Sequence, residues 1–238
     1  MIHPLLVQLT NLQAGYQQDQ PVISEIDFQI DQGEWLGLIG PNGAGKSTII
    51  KAMLHLLPYH EGTIHMPPSE EVAYIPEQPV YYDDLTLWEH IQFAKAIRNI
   101  EDPDFEKRAV HWLEIFRLDE VRHDYPSSFS KGMQQKLMLV LAFTFQPALY
   151  IIDEPFIGLD PRAMKAVIRA LEAERERGAA ILMSTHVLDS AEKLCDRFVL
   201  IDDGHILKDG SLGAFYESAG TDLSLLDAID ILMEQADE

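Results

Sequence analysis

Gly40-Pro41-Asn42-Gly43-Ala44-Gly45-Lys46-Ser47 follows the apolar run Trp35–Ile39 and leads through Thr48 into a helical pattern of Ile49, Ile50, Met53, Leu54 and Leu57. Strand, glycine-rich turn and helix in that order predict a phosphate-binding loop. Glycines leave room for backbone N–H groups to close around phosphate oxygens, and the following helix points its positive end at them. Lys46 adds a mobile cation, and Ser47 offers a hydroxyl to Mg²⁺. A glycine turn alone can be merely a tight loop, whereas the full pattern with Lys-Ser after a strand makes Gly40 through Thr48 the candidate contacts for a nucleoside triphosphate, ATP. Pro58 is expected to end the helix.

Outward from this loop, 238 residues suffice for one large α/β domain, or one domain with a sub-lobe. Cys195 is the only cysteine, which excludes an internal disulfide and fits a reducing cytoplasm. Met1-Ile2-His3-Pro4 has no basic region ahead of an apolar core, so no secretory signal is expected. The most apolar tract, Leu137 to Ile152, is broken by Gln146 and Pro147 and falls short of the roughly 20 residues of a spanning helix. No direct lipid insertion is expected. A net charge of −21 disfavours nucleic acid and anionic lipid as partners, since both would be repelled at long range. The nine histidines show no metal-ligand spacing.

Ile26, Phe28 and Ile30 alternate with Asp27, Gln29 and Asp31, which reads as a half-exposed antiparallel strand. Val72 to Ile75 reads as a short strand, and Leu85 to Phe145 as helical, with breaks at Asp102-Pro103 and Tyr125-Pro126. Strand signals return at Leu149 to Ile152, Ala180 to Met183 and Phe198 to Ile201, separated by helical stretches. That alternation predicts a doubly covered α/β sheet with a helical lobe inserted at about 85–146. Glu172 to Arg177 reads as the solvated face of a helix ending at Gly178, and the last fifteen residues as an acidic, partly amphipathic helix.

Leu149-Tyr150-Ile151-Ile152-Asp153-Glu154 ends a hydrophobic strand in two carboxylates. Such a pair is often a helix cap, but beside the Lys46 motif it predicts Asp153 as a Mg²⁺ holder and Glu154 as the base that polarises the attacking water. Ser184-Thr185-His186 puts an imidazole at a strand's C-terminal edge, where ligands collect in open α/β sheets. His186 is a candidate γ-phosphate sensor or a structural residue. Gln78, after the strand Val72 to Ile75, is a candidate for the metal or the attacking water.

With these motifs in this order, the chain resembles the nucleotide-binding subunits of ATP-binding-cassette (ABC) transporters from about Leu5 to Gly210. Phosphate loop Gly40–Ser47, Q-loop Gln78, signature segment Ser130-Lys131-Gly132-Met133-Gln134, Walker B pair Asp153-Glu154, D-loop Gly158-Leu159-Asp160 and switch His186 carry the resemblance. Implied are a P-loop NTPase fold of ABC type, a mixed but mostly parallel sheet with an N-terminal antiparallel region, and a cassette over 1–212 followed by an acidic tail over 213–238.

The resemblance also implies that Tyr16 stacks on adenine, although alone it reads equally as a core or edge-strand residue. The signature departs from the family pattern at Phe129, Lys131 and Met133. Ser130 caps the following helix in any case. The resemblance implies that Ser130, Lys131, Gly132 and Asp160 also serve ATP in a head-to-tail homodimer formed with ATP bound. Strings such as Tyr74-Ile75-Pro76-Glu77 and Tyr150-Ile151-Ile152-Asp153-Glu154-Pro155-Phe156 resemble the Ecs-type exporter ATPases of bacteria. That implies a separate integral membrane subunit, docked around Val80, Tyr81, Tyr82, Leu85, Leu87 and Trp88, holding the chain at the inner face of the membrane. Alternatives are a soluble cassette ATPase of the iron-sulfur scaffold type and a catalytically weak regulator. Retention of Glu154 and His186 weighs against the last.

Overall fold

A computed structural model describes residues 4–156, 158–220 and 224–236. Met1–His3, the segment in which no secretory signal is expected, lie outside the described residues. The chain divides into two compact units, one formed by residues 1–67 with 178–238 and the other by 68–177.

In the first unit, β1 (Leu5–Gly15) pairs antiparallel with β2 (Ile23–Asp31) and β4 (Tyr59–His65). Alternation sets the faces of β2: Ile26, Phe28 and Ile30 are buried, and Asp27 and Gln29 exposed. A second sheet runs in the order β7 (Ala180–Ser184), β3 (Trp35–Ile39), β8 (Arg197–Asp202), β9 (His205–Gly210). β3 is parallel to both β7 and β8, and β9 turns back antiparallel on β8. Every residue of β3 and of β7 is buried, the pattern of strands covered on both faces.

Helices α1 (Lys46–Met53), α6 (Leu188–Leu194), α7 (Leu212–Ala219) and α8 (Leu225–Ala236) complete this unit. α1 stops short of Pro58. Leu54 is its C-cap and His55 turns left-handed at φ 54°, so backbone conformation ends the helix before proline sterics act. Strands β4 and β9 were not visible as sequence patterns, because neither has a fully buried residue to mark it. β9 is held by charge instead: Arg197 on β8 clamps Asp209 with two bonds of 2.6 Å and reaches Glu34 at 3.2 Å.

The second unit holds the parallel pair β5 (Val72–Ile75) and β6 (Leu149–Asp153) and the helices α2 (Leu87–Ile97), α3 (Phe105–Phe116), α4 (Lys131–Phe145) and α5 (Pro161–Glu176). α2 starts at a reciprocal capping box between Thr86 and Glu89. Leu113, Phe116 and Phe143 form the packed seam of α3 on α4. Glu174 departs from the solvated face expected at 172–177: it is 5 % exposed and takes Arg177 Nε and Nη2 at 2.9 and 2.6 Å. A buried carboxylate is tolerable only with such a partner. Among the described residues, no helix is long and apolar enough to cross a membrane.

α4 ends on Gln146, an exposed residue in the left-handed region at φ 49°. That conformation costs a side-chain-bearing residue about 1–2 kcal/mol, against roughly 0.5–1 kcal/mol of extra unfolded-state freedom for glycine. Gln146→Gly is therefore expected to stabilise by about 0.5–1 kcal/mol, read as a melting temperature higher by roughly 1–3 °C.

Candidate functional site

Three left-handed glycines shape the loop between β3 and α1: Gly40 at φ 146°, Gly43 at 89° and Gly45 at 111°. Their reasons differ. A Cβ on Gly40 would lie 2.0 Å from the Ile201 carbonyl, and one on Gly45 would lie 2.6 Å from Ile23 Cγ2. These two are fixed by packing within the unit. A Cβ on Gly43 would meet nothing within 4 Å, so its backbone lines open space. That opening, above a helix with no acidic residue in its first turn, is a cradle for an anion.

Lys46 is 8 % exposed, and its Nζ bends back to donate to Gly40 O at 2.7 Å and Pro41 O at 2.8 Å. The cation is thereby held across the loop rather than extended into solvent. Pro41, Asn42 and Gly43 are exposed, Ala44 and Thr48 buried, and Ser47 exposed on the first turn of α1. Tyr16 lies just past β1, 52 % exposed, and its hydroxyl accepts from Lys51 Nζ at 3.1 Å. This removes the core reading of Tyr16. His186 follows β7, where Thr185 N–H donates to Leu38 O at 3.4 Å and Thr185 Oγ1 accepts from Val187 N–H at 3.0 Å. Those bonds place the imidazole, exposed, beside the end of β3 in the same unit.

The second unit carries the other candidates. Asp153 ends β6 and Glu154 follows it in a bend, at 6 % and 8 % exposure. Glu154 adopts φ 53°, a left-handed conformation that costs a glutamate free energy and that clusters at functional positions. Tyr74 on β5 registers the local field: burial, followed by the charges of Asp153 and Glu77, pushes its phenol up to about 12.

Gln78 is exposed and lines a cleft of about 620 Å³ together with Glu77, Tyr81, Lys131, Gln134 and Gly158. Gln134 Nε2 donates to Tyr81 OH and Pro126 O, each at 3.0 Å, tying the segment after the Q-loop to the turn before the signature. Gln135 is not among the residues that the sequence pattern singles out. It is 2 % exposed and donates to Pro76 O at 3.4 Å, and its position one residue past the quoted signature was the available signal.

Ser130 is the N-cap of α4, its Oγ accepting from Met133 N–H at 3.3 Å, and Lys131 is exposed beside it. Gly132 approaches Gly158 so closely that a Cβ would lie 2.6 Å from the Gly158 carbonyl. Asp160 is the N-cap of α5: Oδ1 accepts from Arg162 N–H at 3.0 Å and Ala163 N–H at 2.9 Å, and Oδ2 meets Lys136 Nζ at 3.2 Å. The Ala163 bond first, then the Lys136 bond, holds its carboxyl below the usual range.

Of the expected docking residues, Val80 and Tyr82 are 73 % and 58 % exposed, whereas Leu87 is fully buried and belongs to the core. It is the first residue of α2, facing inward behind the Thr86 cap.

The two kinds of loop glycine separate on substitution. Gly40→Ala is expected to lose most of its native signal in urea unfolding, because its Cβ meets backbone. Gly43→Ala meets only backbone strain of about 1–2 kcal/mol and is expected to stay folded.

The family model described as ABC transporter matches residues 23–157. The ABC transporter ATP-binding protein YthP of Bacillus subtilis is 48 % identical over 223 residues, covering 93 % of this chain and 94 % of that protein. The ABC-type transporter ATP-binding protein EcsA of the same organism is 37 % identical, covering 98 % of this chain and 97 % of that one. A solved structure of an ATP-binding subunit of an ABC transporter superposes with a TM-score of 0.91 at 39 % identity, over 96 % of this chain and 99 % of that chain. A phosphate loop held open at Gly43, a buried Asp-Glu pair and these matches together show that the chain belongs to the ATP-binding, ATP-hydrolysing family of ABC transporters.

Proposed function

We propose that this chain is the ATPase subunit of a transporter whose membrane-spanning part is a separate chain, and that two copies close head to tail on ATP and Mg²⁺. The observation that carries the catalytic part is Glu154, a buried carboxylate kept in a left-handed backbone at the end of β6. In this reading the N–H groups of Gly40 through Thr48 bind the phosphates, Lys46 neutralises them, and Tyr16 packs on the base. Glu154 takes the proton of the attacking water. Gln78 orients that water, and His186 contacts the γ-phosphate.

Ser47, Asp153 and Gln78 are the proposed ligands, and the oxygens of a hydroxyl, a carboxylate and an amide are a donor set that would suit Mg²⁺. If held there, such an ion would supply charge neutralisation to the phosphates. Ser130, Lys131, Gly132 and Asp160 serve the nucleotide of the opposite copy. Here Ser130 and Asp160 already act as helix caps, so their second role adds to the first. The positive end of α4, with no acidic residue in its first turn, supports a phosphate contact there.

Val80 and Tyr82, large and exposed beside the Q-loop, support a docking surface for the membrane subunit, with Tyr81, Leu85 and Trp88 partly exposed behind them. The Ecs-type assignment rests on the quoted strings and on 37 % identity over nearly the whole of EcsA, beside the higher identity to YthP. The cassette over 1–212, the lobe within it at about 85–146 and the tail over 213–238 are retained in this reading. So is a cytoplasmic location, peripheral on the membrane through the partner.

Glu154→Gln is expected to keep ATP binding, measured by calorimetry, while phosphate release falls by roughly 10²-fold or more. Turnover within a few-fold of the parent would remove Glu154 from the role of base. Specific activity is expected to rise with protein concentration as two copies associate. A flat dependence from nanomolar to tens of micromolar would count against the shared site.

A further inference from the structure

α6 is seven residues long, and Ala191 is its only buried residue. A helix that short has no stability of its own in water, so its position is set by what it is tied to. At its C-terminal end the tie is to β3: Asp196 N–H donates to Trp35 O at 2.9 Å, and Trp35 N–H donates to Asp196 Oδ2 at 3.0 Å. Along its outer side the tie is Glu192. Its Oε1 accepts from the Tyr216 hydroxyl of α7 at 2.8 Å, and its Oε2 accepts from Leu225 N–H of α8 at 3.4 Å. Among the described residues, Glu192 supplies all the side-chain hydrogen bonds of α6.

The two acceptors are well matched to what they meet. Leu225 N–H opens α8 and is a donor with no partner inside its own helix, and a carboxylate there also meets the positive end of the helix dipole. Ser224 Oγ accepts from Asp227 N–H at 3.1 Å and completes the cap. α7 and α8 are firmly seated, with Phe215, Leu225 and Ala228 fully buried. They form a fixed abutment, and Glu192 connects α6 to it. His186 lies two residues ahead of α6, so any displacement of the helix passes to the imidazole through Val187.

We propose that Glu192 is a positioning residue for His186: through its carboxylate the C-terminal helices α7 and α8 buttress α6 and keep the switch histidine in register for the γ-phosphate. The proposal rests on the role given to His186 above.

Steady-state ATPase kinetics on full-chain variants test it, with the melting temperature of each recorded. Glu192→Ala is expected to lower kcat by about tenfold with KM for Mg-ATP within about twofold, the pattern of an interaction used in the reaction and not in binding. Glu192→Gln keeps an acceptor oxygen and is expected to recover kcat to within about threefold of the parent. Tyr216→Phe, which removes one hydroxyl and leaves the ring, is expected to lower kcat by about threefold, and serves if Glu192→Ala does not fold. In a His186→Ala background, Glu192→Ala is expected to add little, since the two act as one unit.

A parent-like kcat for folded Glu192→Ala or for Tyr216→Phe, or a loss that Glu192→Gln does not recover, overturns the proposal. A parent-like His186→Ala overturns it together with the assignment of His186. A crippled His186→Ala beside a parent-like Glu192→Ala removes the buttress alone.

Discussion

The close approach of Gly40 to the Ile201 carbonyl governs the first unit, because the loop that holds phosphate exists only if β3 and β8 leave no room for a side chain between them. The neighbouring hairpin shares the burden. Gly204, in the turn joining β8 to β9, donates its N–H to Ala44 O at 3.0 Å, and its carbonyl accepts from Ser24 N–H at 3.0 Å. The turn is thus stitched to the loop on one side and to β2 on the other. The antiparallel strand β9, poor in buried residues, has its reason here: it brings a glycine turn to the back of the phosphate loop.

Several residues of the second unit have one structural duty that is complete without a nucleotide. Ser130 and Asp160 each cap a helix, and Lys136 joins the helix of the first to the cap of the second. The Gly132 to Gly158 approach draws the same two segments together through their backbones. In the proposed second role, a side chain already oriented by its cap would lose little further freedom on meeting a phosphate, which is the physical content of preorganisation. The same argument applies to Lys46, whose ammonium is bound to two loop carbonyls.

What the sequence shows depends on how strongly each segment is buried. β3, β6, β7 and β8 were legible because they are short apolar runs, buried throughout or nearly so, and the phosphate loop because its glycines are separated by fixed spacings. β9, half-buried, and β4, largely exposed, leave no hydrophobic trace; both are edges held by hydrogen bonds, with the Arg197 clamp added at β9. α1 ends earlier than its pattern predicts, since Leu54 and Leu57 extend the apolar spacing past the point where His55 reverses the backbone. Glu174 looked like one more surface acid in a charged run, and only its packing reveals the pairing with Arg177. Likewise a burial pattern separates Leu87 from its neighbours Val80 and Tyr82, while a list of apolar residues does not.

The backbone at Glu154 sits where glycine would rest more comfortably. Glycine there would relieve the backbone but remove the carboxylate that the proposed function makes the base, so under that proposal ease of folding and chemistry pull the position in opposite directions. Under that proposal, a carboxylate kept there marks selection for turnover rather than for durability.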